Sequence, residues 1–131
     1  MPRIRQWDVL NTIRIDVLLA NSNYVAKRIK KYYGRESTVI YPPVNTDFFS
    51  PNGKEAEDFY VVFSRFVPYK RIDLAIEACN KLKKNLVVIG DGEQREFLKS
   101  ISKDTIKFTG RISDEEVRDY LQRCKAMIFF C

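Results

Sequence analysis

The chain has 131 residues, 45% of them hydrophobic and 31% charged, with a formal net charge of +6. That length suffices for one ordinary domain with a useful core, and the composition excludes an intrinsically disordered chain. There is no histidine, which removes every histidine-based triad, general base and metal site.

The positive excess is spread along the chain. Residues 1–58 hold nine Lys/Arg against seven Asp/Glu, and residues 59–131 hold fourteen against ten. This is not the lysine-rich block of a nucleic-acid arm. It fits either an anionic partner or a solvated surface that is merely basic. Three cysteines, Cys79, Cys124 and Cys131, sit in or beside apolar patterns with no Cys-x-x-Cys pair. An odd count of this kind argues against a disulfide framework and a zinc site, and for free thiols in a reducing cytoplasm. No apolar run approaches the ~20 residues of a membrane span, and the first residues lack the apolar core of a signal peptide.

In chain order, Ile15 to Ala20 reads as a strand. Asn21-Ser22 can cap a helix with Val25, Ile29 and Tyr32/Tyr33 inward, ended by Gly34. Thr38 to Tyr41 reads as another strand, stopped by Pro42-Pro43. Residues 42–58, with Pro51, Asn52 and Gly53 besides those prolines, read as a linker or hinge.

Residues 59–131 alternate more regularly. Tyr60-Val61-Val62-Phe63 is of strand type, and Ile72, Ala75, Ile76, Cys79 and Leu82 follow at helical spacing. Leu86-Val87-Val88-Ile89 is a second strand, followed by a short helix with Phe97, Leu98 and Ile101 inward. Ile106 to Thr109 is a third, ended by Gly110. Ser113 and Glu116 form a capping box that opens a helix with the apolar stripe Val117, Tyr120, Leu121 and Cys124. Ala126 to Phe130 is the fourth strand. Strands apolar on both faces, separated by helices, imply βαβ units. The expected fold is α/β, a Rossmann-like doubly wound parallel sheet. A parallel strand needs a covering helix and a neighbour, so the ending Met127-Ile128-Phe129-Phe130-Cys131 reads as a domain cut short, as does the start.

In such sheets ligands bind beyond the carboxyl ends of the strands. Three corners fall on that edge: Ser64 to Arg71, Gly90-Asp91-Gly92 and Gly110-Arg111-Ile112. At the first, Arg65 offers a planar fork and Lys70 a mobile point charge, with Pro68 stiffening the loop between them. Together they suit a diphosphate; the plainer reading is a pair of surface cations on a loop, with Arg71 left to solvent. The glycine pair in "GDGEQR" is not a dinucleotide fingerprint, because Arg95 stands where the third glycine belongs. It lets the chain turn sharply beside a ligand, or merely turn.

Taken in order, "NSNYVAKRIKKYYG…VIYPPVNTDFFSP", "SRFVPYKRIDLAIEA", "LVVIGDGEQREFL" and "IKFTGRISDEEVRDYLQRC" resemble the C-terminal half of retaining GT-B glycosyltransferases of family four. The likeness is strongest to mannosyltransferase-like enzymes of bacterial polysaccharide and lipopolysaccharide assembly. It implies a truncated C-terminal GT-B domain, with residues 1–41 closing the N-terminal domain, 42–58 as linker and 59–131 as a partial nucleotide-sugar-binding domain. It also implies that Arg65 and Lys70 hold the donor diphosphate. Gly90, Asp91, Gly92, Gly110, Arg111 and Ile112 would form the nucleotide-binding loops, the last three lying along the base.

The donor would be GDP-mannose or another nucleoside-diphosphate sugar, used without a metal or other cofactor. The acceptor, a glycan or a lipid-linked glycan, would bind a missing N-terminal domain, with peripheral contact at the inner face of the membrane and no nucleic acid. The family's acidic motif, two glutamates separated by seven residues, would begin just after Cys131. The chain alone would then lack a complete catalytic centre. Two other readings remain open: a non-catalytic nucleotide- or nucleic-acid-binding module, and a sugar-phosphate synthase or epimerase of the same architecture.

Overall fold

Successive apolar residues at 59–63 and 85–89 can be buried only if both faces of their sheet are covered. The computed structural model, which describes residues 2–130, shows that arrangement. Cys131, the end of the expected fourth strand and the third thiol, lies outside the described residues, as does Met1. The chain divides into two units, Met1–Asn45 and Thr46–Cys131.

In the larger unit the strands are β3 (Phe59–Phe63), β4 (Asn85–Ile89), β5 (Ile106–Gly110) and β6 (Ala126–Met127). All pair in parallel, in the order β5-β4-β3-β6. Alternation divides their side chains. Val62, Leu86 and Val88 join the core built with α3 (Ile72–Leu82) and α4 (Arg95–Ser100), while Val61, Val87 and Ile89 pack on Val117 of α5 (Asp114–Arg123). The sheet is therefore doubly wound, as the run pattern requires. The chain adds β4 and β5 outward on one side of β3, then returns to lay β6 on the other. That reversal creates a switch point between β3 and β6.

Local signals explain most boundaries. The Ser113 hydroxyl accepts the Glu116 N–H at 3.3 Å while the Glu116 carboxylate accepts the Ser113 N–H at 3.0 Å, completing the capping box. Cys79 is buried and Cys124 half-buried, both as free thiols, and burial pushes both thiols up from their ordinary pKa.

Two inward expectations in this unit fail. Phe97 is 51% exposed and Leu82 66% exposed. Helix α4 has only six residues, and neighbours on a helix diverge by about 100°, so Leu98 takes the inward position and Phe97 points away. At Leu82 the chain reverses immediately, Lys83 taking φ 52°. Strand β6 is also shorter than Ala126 to Phe130. The Ile128 N–H still donates to Val61 O at 2.8 Å, but pairing ends there, and Ile128 and Phe130 pack against the α3 core. The segment before β3 is tied to α5 within the same unit, where Gln122 Nε2 donates to Ser50 O at 2.7 Å and Arg123 bridges Glu57 and Asp119.

The smaller unit contains α1 (Pro2–Thr12), β1 (Leu19–Ala20), α2 (Asn23–Tyr33) and β2 (Thr38–Val39), with β1 and β2 parallel. Both strands are shorter than the runs Ile15 to Ala20 and Thr38 to Tyr41. Ser22 caps α2 by accepting the Val25 N–H, and Gly34 ends it at φ 68°. The inner face of α2 is only half-buried, and Tyr32 is 58% exposed. Helix α1 was not found by sequence reading, and its apolar residues Ile4, Trp7, Val9 and Leu10 are all exposed. The Arg35 guanidinium holds the far end of α1 by donating to the carbonyls of Thr12, Ile15 and Asp16. No helix among the described residues is long and apolar enough to cross a membrane.

Ser113→Ala removes the hydroxyl half of the capping box. The expected loss is about 1 kcal/mol, read as a lowered urea midpoint with the slope unchanged.

Candidate functional site

The three glycine and cation corners meet at the carboxyl edge of the sheet through backbone hydrogen bonds. Ser64 N–H donates to Ile89 O at 3.1 Å, Phe66 N–H to Asp91 O at 3.0 Å, and Gln94 N–H to Phe66 O at 3.2 Å. Gly90 N–H in turn donates to Gly110 O at 2.9 Å. The loops after β3, β4 and β5 are thus one connected rim.

This stitching explains the glycine pair. Gly90 lies at φ 130°, and a Cβ there would sit 1.9 Å from Ser64 O. A Cβ on Gly92 would sit 2.5 Å from Phe66 O and 2.9 Å from Phe66 N. Both glycines allow the GDG loop to run under the backbone of the first corner. Gly110, at φ 76°, meets only Arg95 Nη1 at 3.9 Å, so its role is conformational.

The charges on the rim sort into neutralised and open ones. Asp91 Oδ1 accepts the Gly92 N–H at 2.8 Å, and Oδ2 pairs with Arg95 Nη1 at 3.2 Å. These contacts, the Gly92 N–H foremost, and the nearby Arg111 hold the Asp91 carboxyl below its ordinary pKa. Arg71, assigned to solvent by sequence, is exposed and also grips Asp73 with Nε at 3.1 Å and Nη2 at 2.9 Å. That grip raises the Arg71 pKa and lowers that of Asp73.

Arg65 and Lys70 differ. Among the described residues neither side chain makes an ion pair or a hydrogen bond. Arg65 is exposed directly beyond β3, and half-buried Lys70 closes the 3-10 turn Pro68–Lys70, with Pro68 at its first position. Lys70 shares a narrow crevice with Ser64, Ile128 and Phe129, so it borders the switch point between β3 and β6. That is the place where doubly wound sheets take ligands. Sequence reading did not find Phe129, because which strand lies beside β3 is decided by pairing and not by local pattern. Ile112 turns inward, half-buried against the Val61 cluster, while Arg111 is exposed.

A roomier cleft of about 430 Å³ lies between residues 49–54 and α5. None of the candidate residues lines it. The candidate residues lie on the strand-end rim, whereas the cleft is lined largely by the connecting segment.

Residues 44–131 match the family model described as glycosyl transferases group 1. The chain belongs to this family. A curated relative is an uncharacterized glycosyltransferase of Methanocaldococcus jannaschii, 26% identical over 121 residues, which cover 89% of this chain and 34% of the relative. The chain therefore spans about a third of that protein's length.

Solved glycosyltransferases share the fold. TarM of S. aureus, in a complex that includes UDP, superposes with a TM-score of 0.70 at 17% identity, over 95% of this chain and 27% of that one. HepE of Anabaena, in complex with UDP and glucose, gives 0.67 at 19%, over 86% and 37%. A glycosyltransferase of avilamycin A biosynthesis gives 0.66 at 22%, over 83% and 33%. The group 1 domain here thus has the α/β architecture of GT-B enzymes and covers part of it.

Gly90→Ala is expected to destabilise this domain by more than ~3 kcal/mol, since backbone must move as well as strain. Gly110→Ala should cost only about 1 kcal/mol, the penalty for a left-handed residue in open space. Urea unfolding of the two variants measures the contrast.

Proposed function

We propose that this chain carries the donor-binding half of a retaining, family-four hexosyltransferase that takes its sugar from a nucleoside diphosphate. The observation that carries this reading is the pair of cations beyond β3. Arg65 and Lys70 stand without counter-ions on a rim where Asp73 and Asp91 are already paired with Arg71 and Arg95. A rim arranged in this way retains positive charge for an incoming anion.

The chemistry follows from where charge develops. As the bond from the anomeric carbon to the donor oxygen breaks, negative charge collects on the departing diphosphate. A guanidinium and an ammonium already in place stabilise that charge more than the ground state, which lowers the barrier. In this proposal they do so without a metal or other cofactor. The backbone of Gly110, Arg111 and Ile112 lies along the base, and Gly90, Asp91 and Gly92 support the diphosphate corner from beneath.

Mannose on GDP is the donor we propose, with a glycan or lipid-linked glycan as acceptor. UDP in the S. aureus and Anabaena proteins makes uridine donors the comparison to run. Acceptor binding, any contact with a membrane surface and completion of the catalytic centre fall to parts of the transferase outside this chain. The setting is the cytoplasm.

In the intact transferase, Lys70→Ala should lower turnover on the order of 100-fold while raising KM for the sugar nucleotide far less. Turnover within a few-fold of the parent removes Lys70 from the role. Titrating this chain with GDP and with UDP, followed by amide shifts around Arg65, reads the same site without catalysis. Arg65→Ala should weaken whichever nucleotide binds.

A further inference from the structure

The ammonium of Lys70 has no oxygen partner, yet it is held. Its Nζ lies 5.3 Å from the ring centre of Tyr69 and 5.2 Å from that of Phe129. Both distances are within the reach of a cation–π contact, about 6 Å. One ring comes from the turn after β3 and the other from the segment after β6, so each strand bordering the switch point supplies one. The stem of Lys70 lies in the crevice shared with Phe63, Ser64 and Ile128, which holds about 10 Å³ of space.

We propose that Tyr69 and Phe129 are positioning residues for Lys70, a two-ring clamp that fixes the ammonium without neutralising it. A carboxylate would fix a lysine equally well, but it would cancel the charge a diphosphate needs. The acid in the first turn of α3, Asp73, is taken by Arg71, whose αL backbone at φ 46° and forked contact keep it there. Ring faces attract a cation through their quadrupole and leave its net charge intact. The clamp thus reduces the rotamer freedom that a long lysine loses on gripping an anion. Phe129 is 59% exposed and Tyr69 73% exposed, so neither serves as core. The functional half of this inference rests on the donor-site reading; the clamp itself does not.

The test uses Phe129→Leu and Phe129→Tyr in this chain. NMR of the Lys70 side chain reads the clamp directly: ring faces shift its Cε protons upfield of the other lysines. Phe129→Leu should reduce that shift, and Phe129→Tyr should restore it. Isothermal titration with GDP and UDP then reads the consequence. The leucine variant should bind the preferred nucleotide about two- to fivefold more weakly, with the tyrosine variant near wild type and thermal stability unchanged in both. A Lys70 shift that ignores Phe129→Leu overturns the clamp. A shift that responds while affinity does not overturns its role in positioning. If wild type shows the shift but binds neither nucleotide, the clamp stands as geometry and the donor-site reading, with the role resting on it, is overturned.

Discussion

Strand β3 is the constraint on which the larger unit depends. It pairs with β4 over all five residues and with β6 at Tyr60 and Val61, and its Val61 and Val62 are buried on opposite faces. A central parallel strand of this kind needs helices above and below, which α3 and α5 provide. Reversing direction at β3 also opens the sheet at its carboxyl edge. Core formation and the position of the candidate site are consequences of the same pairing.

The rim above that edge is assembled by main chain more than by side chains. Hydrogen bonds from Ser64, Phe66 and Gly90 tie three loops into one surface, and Gly90 and Gly92 allow the approach. Fixed backbone of this kind leaves little to reorganise when a ligand arrives. The charged side chains are then layered on it, with Asp73 and Asp91 paired off locally and Arg65, Lys70 and Arg111 left without an ion pair among the described residues. Preorganised charge that costs no rearrangement is the physical requirement for stabilising a leaving group.

Surface ion pairs elsewhere serve a different purpose. Arg123 joins Glu57 and Asp119 and stacks near Phe59 and Tyr120, at the opposite end of β3 from Lys70. Exposed pairs of this sort are worth little individually. Together with the Glu57 N–H bond to Arg123 O, they fix where the chain enters the sheet. Register in β3, and so the placement of Ser64 and Arg65, begins there.

Much of this was written locally in the sequence. The double-faced runs at 60–63 and 86–89 required a buried parallel sheet, Ser113 and Glu116 marked a helix start, Ser22 and Gly34 bounded another, and Arg65 and Lys70 drew notice at a strand-to-helix corner. Such features depend on spacing and side-chain chemistry within a few residues, so the sequence suffices for them. Other features depend on which distant segments become neighbours. The Arg71 grip on Asp73 needs the left-handed turn, the need for glycine at 90 and 92 comes from the backbone of Ser64 and Phe66, and the ring of Phe129 reaches Lys70 only because β6 returns beside β3. Strand order is set by competition among long-range pairings, which no local pattern encodes, and so the surroundings of Lys70 were decided by the tertiary structure.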